Sequence, residues 1–383
     1  MLTVKEVKTK KEGRVFVHFP DRLYKGNPFY VPGLKSDDFS DWNEKKNPAY
    51  AYCEVKRFLA YRDGEAVGRI AAILSHRSNE KWGTSRMRFS SVDFIDDREV
   101  SRALFAAVED FAREKGCAEV HGPLGFTDLD REGMLVEGFE EKSLFYTYYN
   151  APYYKEHLEA LGYGKDVDWV ELQLIRPEKD DKNMETLGRI SERLARKHGL
   201  HVAPVKSNFG FKPYIERAFA LVNEAYAELY GTVDLDEEQI RRYASKFVPL
   251  VDPDFACIVL DENEEPIAFG ATAPDLSDAF RKSGGRLFPF GWARMLWALK
   301  HPRKLDLLLI AVRPEWQGKG VNAMIIHHIF ENAWRRGVVM AETGPQLEDN
   351  ANVLSQWNIV SSRQHKRRRC FIKRLDEKTE ETV

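Results

Sequence analysis

The strongest hydrophobic pattern in the chain runs from residue 305 to residue 333. Leu305–Val312 is a nearly continuous apolar run of strand length, and it ends before Pro314, which has no amide hydrogen to donate. Gly318 and Gly320 follow, and glycines there allow a sharp turn of the backbone. The next residues repeat at the spacing of one helix face: Val321, Met324, Ile325, His328, Ile329 and Ala333. The pattern therefore predicts a strand, a tight glycine turn and a helix.

The same order of elements occurs twice, so the chain carries an internal repeat. Each half has a first strand, a hairpin, a strand–helix unit and a Gly-Pro pair. The ranges, first half then second, are 2–9 and 200–207, 55–73 and 255–272, 87–115 and 305–336, and 122–123 and 344–345. Asp63 and Gly64 are the predicted turn of the first hairpin. The rhythm predicts two copies of one α/β unit, each with a mixed sheet flanked by helices.

The repeat also sets the predicted domain limits. We expect a first domain at 1–178, a linking helix at 179–199, a second domain at 200–375 and a charged, frayed tail at 376–383. Residues 277–304 are an insertion in the second half, and Trp292, Met295 and Trp297 make part of it an amphipathic helix. This helix is either a lid or homodimer surface, or a satellite packing helix.

Composition places the chain among ordinary globular proteins. Its 383 residues suggest two domains, and its net charge of −2 gives no bulk attraction to nucleic acid or to a membrane. No apolar run approaches the ~20 residues of a spanning helix, and the N-terminus lacks a signal-peptide layout. The four cysteines show no CxxC spacing, which argues against zinc and against a disulfide framework. We expect a cytoplasmic protein with no metal, nucleic-acid or membrane partner.

The glycine turn carries the first chemical signal. Amides at a helix N-terminus, unobstructed by glycine side chains, suit a phosphate group. The string from Val312 to Val321 closely resembles the acyl-CoA motif Gln/Arg-x-x-Gly-x-Gly/Ala of the GNAT acyltransferase superfamily. Gln317 and Gly320 fill its first two fixed positions, whereas Asn322 stands where the family has Gly or Ala. The chain thus resembles a tandem GNAT protein, an α/β fold of two GNAT-like units.

This resemblance implies acetyl-CoA, or another acyl-CoA, as the cofactor. The amides around the turn and the helix dipole would hold the pyrophosphate, with an added charge from a lysine. The backbone of the preceding strand would pair with the pantetheine arm. The implied cofactor-binding residues are Ile310, Ala311, Val312, Gln317, Gly318, Lys319, Gly320, Val321 and Asn322.

Transfer to an amine also needs a base and an acid. Glu342, on the strand after the helix, is the best candidate for the catalytic base, although such a carboxylate also serves as a surface or capping group; Asp306 is a weaker candidate. The family often carries Asn-x-x-Ala-x-x-Leu-Tyr on the next helix, with the tyrosine near the thiolate. Here Asn350 begins that pattern and Trp357 replaces the tyrosine, and an indole is too weak an acid for that role.

Two functions remain open from the residues. The first is an N-acyltransferase that acts on a small-molecule or peptide amine, and the intact glycine turn favours it. The second is a GNAT-fold regulatory protein that binds acyl-CoA without turnover, and Asn322 and Trp357 favour it. A third possibility is a function like that of duplicated GNAT-like transferases, which use aminoacyl or fatty-acyl donors. It is less favoured because the CoA motif of this chain is well formed.

The first half departs further from the family. Asp96 and Asp97 lie opposite the glycine turn, where their charges would repel a pyrophosphate, so we expect a degenerate copy. Aromatic residues between 145 and 154, with the polar loop at 122–133, either line an acceptor pocket or fill the core. The basic run at 363–369 is expected to be a solvated hairpin tip rather than a nucleic-acid site.

Overall fold

The computed structural model describes residues 1–178 and 181–375, which form two compact units. The first unit contains Met1–Trp169 and the described residues from Lys366 onward, and the second unit is Val170–His365. The predicted tail at 376–383 lies outside the described residues. Across the described ranges, no helix combines the length and the apolar character that crossing a bilayer requires.

The first unit is a mixed sheet with helices beside it. Its strands are Leu2–Glu6 (β1), Cys53–Arg62 (β2), Glu65–Ser75 (β3), Arg86–Phe94 (β4), Glu119–Gly122 (β5) and Met134–Glu137 (β6). Its helices are Lys10–Leu23 (α1), Lys35–Asp41 (α2), His76–Trp82 (α3), Arg98–Glu114 (α4) and Tyr153–Ala160 (α5). Strands β1 to β4 pair antiparallel in chain order, and β4 pairs with β5 in parallel. Asp63 and Gly64 form the predicted hairpin turn with positive φ values of 51° and 86°.

The chain enters the second unit through Gly164–Ile175 (β7). Its later strands are His201–Val202 (β8), Ala256–Leu260 (β9), Pro266–Pro274 (β10), Lys304–Val312 (β11), Met340–Thr343 (β12) and Gln346–Leu347 (β13). The last strand, Ser362–Arg374 (β14), starts in the second unit and belongs to the first unit from Lys366 onward. Its helices are Lys182–His198 (α6), Ile215–Ala225 (α7), Glu237–Phe247 (α8), Ser277–Ser283 (α9), Gly291–Lys300 (α10), Val321–Arg335 (α11) and Ala351–Ser355 (α12). The predicted insertion at 277–304 contains α9 and α10.

The second unit repeats the strand order of the first. Strands β8 to β11 pair antiparallel in chain order, and β11 pairs with β12 in parallel. The ladder between the third and fourth strands shifts register in both units, between Arg69 and Ala71 in one and between Ala271 and Thr272 in the other. The predicted α/β fold of two tandem units is therefore confirmed.

Helix α6 coincides with most of the predicted linking helix. Its apolar side chains Met184, Leu187 and Leu194 are buried in the same core as Val321 and Ile325 of α11. This burial gives α6 a structural role inside the second unit, because each such side chain contributes roughly 1.5–3 kcal/mol when it leaves water.

The basic run is not a solvated hairpin tip; that prediction was wrong. Residues 363–369 lie within β14, and Lys366 and Arg368 are buried. Arg367 and Arg369 both bind the buried carboxylate of Asp168, at 3.0 Å and 2.8 Å, and Arg368 donates to the Thr147 hydroxyl at 2.9 Å. Internal acceptors replace the water that these cations would otherwise require, so a dense charge run can occupy a buried strand.

Candidate active site in the second unit

Two carboxylates lie side by side where β11 and β12 pair. The register places Asp306 of β11 opposite Glu342 of β12. Both side chains are buried: Asp306 is 0% and Glu342 is 2% exposed. Lys304 is two residues before Asp306, so the alternation of a strand places both side chains on the same face. The start of β11 and the paired residue of β12 therefore bring two carboxylates and one amine together, largely shielded from solvent.

Lys304 balances the charge of these acids. Its ammonium forms an ion pair with Glu342 and lies 3.8 Å from Asp306 and 3.9 Å from Asp275. Burial disfavours the charged amine, but the fields of Asp306 and Glu342 outweigh burial and raise the pKa of Lys304 above its usual range. Lys304 therefore stays protonated at neutral pH and stabilises the carboxylate form of its neighbours.

His365 and Glu171 complete the cluster. The Nε2 atom of His365 lies 3.3 Å from the second oxygen of Glu342, and Glu171 is fully buried beside them. One donor atom from each of Glu171, Glu342 and His365 lies within 4.8 Å of the others. These two residues and Lys304 were not predicted from the sequence. The two-residue spacing places Lys304 on the same strand face as Asp306, but its contact with Glu342 follows only from the pairing of β11 with β12, and His365 lies inside the basic run.

Among the residues that the structure describes, two groups have donor atoms close enough to hold a metal ion. They are Glu171 with Glu342 and His365, and His121 with Asp166 and Cys370 in the first unit. Each group draws on separate strands, so sequence spacing could not reveal it. In the first group, Lys304 already supplies a positive charge at Glu342. The expected absence of a metal remains a prediction.

Strand β11 extends beyond its partner. The ladder with β12 ends at Leu307 and Thr343, while β11 continues to Val312, so this part of the strand has an edge beyond the ladder. The predicted pantetheine-binding residues Ile310, Ala311 and Val312 lie in this extension. The Tyr226 hydroxyl donates to the Ile310 carbonyl at 2.8 Å, a contact that the sequence analysis did not foresee.

The glycine turn follows at the end of β11. Gly318 and Gly320 have φ values of 70° and 85°, which glycine adopts without strain. The Gln317 side-chain amide Nε2 donates to the Val312 backbone carbonyl at 3.0 Å and closes the turn. The exposed Lys319 ammonium lies 5.1 Å from the centre of the Trp316 ring. The predicted turn therefore has its expected shape at the start of α11.

The two units differ at the N-terminus of the helix that follows the fourth strand, which is α4 in the first unit and α11 in the second. Gly320 is the residue before α11 and has no side chain to cap the first amides. The equivalent residue before α4 is Asp97, whose carboxylate accepts from the Glu99 amide at 2.9 Å. Asp96, next to it, contacts His157 at 2.9 Å. The first unit thus fills its helix N-terminus with its own carboxylate, whereas the second unit leaves room for an anion.

Asn322 and Trp357 have structural partners. The Asn322 side-chain Nδ2 donates to the Gln356 side-chain Oε1 at 3.0 Å, which connects the start of α11 to the turn after α12. The Trp357 indole is 5% exposed and donates to the Gln346 side chain at 3.1 Å. The residue at the position of the family's tyrosine therefore packs in the core and uses its N–H structurally.

The aromatic residues of the first unit serve two purposes. Tyr154 is buried in the core, and its hydroxyl accepts from the Phe94 amide at 2.9 Å. Tyr148 instead lines a polar cavity with Ser90 and Ser91, whose hydroxyls lie 3.3 Å from its own. Core filling therefore holds for Tyr154, whereas an acceptor pocket beside Tyr148 stays a prediction.

Comparison with known proteins gives consistent matches. Residues 216–354 match the family described as Acetyltransferase (GNAT) family. Protein YghO of Escherichia coli K12 is 27% identical over 375 residues, which cover 96% of this chain and 94% of that protein. Bacterial ceramide synthase of Caulobacter vibrioides is 28% identical over 305 residues, or 78% of this chain and 77% of that protein.

Among solved structures, the chain is similar to a tandem GNAT protein from the clavulanic acid biosynthesis pathway. The TM-score is 0.57 at 12% identity, with 98% of this chain and 99% of that chain covered. At this identity the likeness concerns the fold, and it extends over both units.

Proposed function

This chain belongs to the GNAT superfamily, and from that premise we propose that its second unit binds an acyl-CoA and transfers the acyl group to an amine nitrogen. One observation carries the proposal: β11 joins an open helix N-terminus at one end to a buried acid–base cluster at the other. From Asp306 to Val312 the strand rises roughly 20 Å. That length suits an extended pantetheine arm, with the pyrophosphate at the glycine turn and the thioester toward the cluster.

The cluster supplies the proton chemistry of the proposed reaction. Glu342 accepts the proton that the acceptor's ammonium must lose before its nitrogen attacks the thioester carbonyl. The new C–N bond forms as the C–S bond breaks, and the departing thiolate takes up a proton. The Lys304 ammonium, ion-paired with Glu342, favours the carboxylate form needed for this role, and the His365 imidazole lies 3.3 Å from the same carboxylate.

The proton for the thiolate needs a source other than Trp357, whose indole already donates to Gln346. Tyr226 is a candidate because its phenol contacts the extended part of β11, although its hydroxyl must leave the Ile310 carbonyl before it can donate to the thiolate. The engagement of Trp357 also favours the second candidate function, a protein that binds acyl-CoA without turnover.

The relatives favour a lipid-like acceptor for the transferase. One of them is named a bacterial ceramide synthase, and a ceramide is an amide of a long-chain amino alcohol. We therefore propose a long-chain amino alcohol as the first acceptor to test, with short amines and peptides as comparisons. Both acetyl-CoA and a long-chain acyl-CoA should be tested as donors.

Ligand binding and turnover separate the two functions. An acyl-CoA at one hundred times its dissociation constant should stabilise the protein by about 2.7 kcal/mol, measured as a rise in unfolding temperature. Thiol release over the amine panel then measures transfer. Stabilisation without thiol release would support the binding protein. No stabilisation by any acyl-CoA at millimolar concentration would contradict both functions.

Replacing the proposed base gives a sharper test. Glu342→Gln should lower the thiol-release rate about 10²- to 10⁴-fold and leave the acyl-CoA thermal shift in place, because the base acts only in the transfer step. Glu331→Gln is a matched control, since that carboxylate is 56% exposed on α11. Equal rates for Glu342→Gln and the control would exclude Glu342 as the base.

A further inference from the structure

Exposed apolar side chains concentrate in one short stretch of the second unit. The described residues include ten large hydrophobic side chains that remain exposed, and five of them lie between residues 288 and 297. Their exposed fractions are 77% for Phe288, 68% for Phe290, 48% for Trp292, 49% for Leu296 and 65% for Trp297. Scattered exposed apolar residues are normal, but a cluster of large aromatics marks an interaction site.

Helix α10 divides these residues into two faces. Met295, Ala298 and Leu299 are half-buried and form the packed face of the helix. Trp297 lies on the opposite face, whereas Trp292 and Leu296, one turn apart, lie along one flank of the packed face and are about half exposed. Because the side chains of Trp292, Leu296 and Trp297 remain exposed, they are available to contact another surface.

The same stretch carries an excess of positive charge, which Asp278, 3.9 Å from Arg281, offsets only in part. Residues 281–303, here called the aromatic–basic segment, contain six Lys or Arg residues and no Asp or Glu, although the whole chain has a net charge of −2. The rest of the chain therefore carries −8. The basic residues are Arg281, Lys282, Arg286, Arg294, Lys300 and Arg303, and all except Arg281 are exposed. A surface that is both aromatic and cationic calls for a partner that is both apolar and anionic.

We propose that the aromatic–basic segment docks this protein on the surface of an anionic lipid bilayer. Tryptophan and phenylalanine are favourable at the boundary between headgroups and acyl chains, and lysine and arginine are attracted to anionic headgroups. Helix α10 has ten residues, so it is roughly 15 Å long, about half the hydrocarbon thickness. It therefore lies along the surface and does not cross the membrane.

Charge argues against a second copy of this chain as the partner. In a twofold dimer through this face, the same patch would meet itself, and six cations would face six cations. An anionic bilayer supplies the opposite charge and the apolar depth together. The sequence analysis expected no membrane partner because the net charge is small, but the total of −2 conceals this local asymmetry.

Vesicle binding tests the proposal with the full chain and without any substrate. Wild-type protein should co-sediment with phosphatidylcholine vesicles that contain phosphatidylglycerol, bind phosphatidylcholine alone weakly, and release at high salt because screening weakens the attraction. The double variant Trp292→Ala/Trp297→Ala should bind about tenfold more weakly. Phe209→Ala removes another aromatic, 90% exposed and outside the segment, and should bind like wild type.

A second variant tests the charges separately. Arg286→Glu/Lys300→Glu keeps the aromatics, reverses two exposed charges and should also lose binding to the anionic vesicles, with an unchanged thermal unfolding curve. Equal binding by wild type and both double variants, or no binding to anionic vesicles, would overturn the proposal. A dimer in light scattering that Trp292→Ala/Trp297→Ala dissociates would also overturn it, because the face would then belong to a second copy.

Discussion

His121 on β5 is a buried imidazole that the fold holds in its neutral form. Burial lowers the pKa of His121 to about 4, despite the neighbouring carboxylate of Asp166 at 3.6 Å. The unfolded chain has a histidine pKa near 6.5 and binds more protons between these values. The free energy of unfolding should therefore fall as the pH drops from about 6.5 to about 4, by about 3 kcal/mol from this group.

Urea unfolding across this pH range measures the effect. His121→Gln should show a smaller loss of stability on acidification than wild type, because the variant has no imidazole to protonate in the unfolded state. His76→Gln removes a side chain that is 59% exposed and should retain the wild-type pH dependence. Identical pH profiles for wild type and His121→Gln would contradict the assignment.

Single residues in the candidate site were predictable to different degrees. The glycines at 318 and 320 were predictable because a turn between an apolar strand and a helix requires positive φ. Glu342 was predictable because it follows the helix on a short strand. Its partners Lys304 and His365 were not singled out, because the contact of Lys304 with Glu342 depends on the pairing of β11 with β12 and His365 comes from β14, a strand distant in sequence. The local spacing of residues does not show which distant strands pair.

At the scale of elements, the start of α11 offers the cleanest test of the anion site. Gly320→Glu, the change that the sequence suggests, would also strain a residue at φ 85° whose new Cβ would lie 3.3 Å from Ile190. Lys319 is exposed and beside the same turn, so Lys319→Glu reverses a charge and leaves the backbone unchanged. We expect it to weaken acyl-CoA binding about tenfold at low salt, measured by isothermal titration calorimetry.

Lys206→Glu is the control for this charge reversal, since it alters the net charge equally at another exposed position of the second unit. It should leave acyl-CoA affinity close to the wild-type value. A similar loss of affinity in both variants would show that only the overall charge matters. An unchanged affinity for Lys319→Glu would place the pyrophosphate away from the turn.

Elements with strong local signals were predicted well. Both hairpins, the helix at 100–115 and the strand–turn–helix around Gly320 occur where the periodicity places them. The strand β14 was predicted wrongly in part, because its charges suggested solvent. Only its neighbours show that Asp168 and backbone carbonyls neutralise or bind those cations. The burial of β14 therefore depends on its tertiary contacts, and its composition alone could not predict it.

At the scale of the whole chain, the first unit is discontinuous. The repeat predicts two consecutive domains, and its limits at 178 and 199 remain a prediction. The structure assigns Lys366 and the described residues after it to the first unit. There, Phe371–Arg374 pair with β5 and Arg367–Arg369 pair with β6. The final strand therefore completes a sheet that begins at the other end of the sequence.

This connection predicts that the first unit cannot keep its fold without the C-terminal strand. A chain that stops at His365 loses the fully buried side chains of Arg368, Cys370 and Phe371. Loss of one large buried aromatic costs about 3–5 kcal/mol, and a domain is stable by only about 5–15 kcal/mol. Hydrogen–deuterium exchange should then show lost amide protection in β5 and β6, whereas β9 and β10 of the second unit keep theirs. Removal of residues 376–383 alone is the control and should preserve protection in both units. Full protection of β5 in the shorter chain would show that the first unit folds without its last strand.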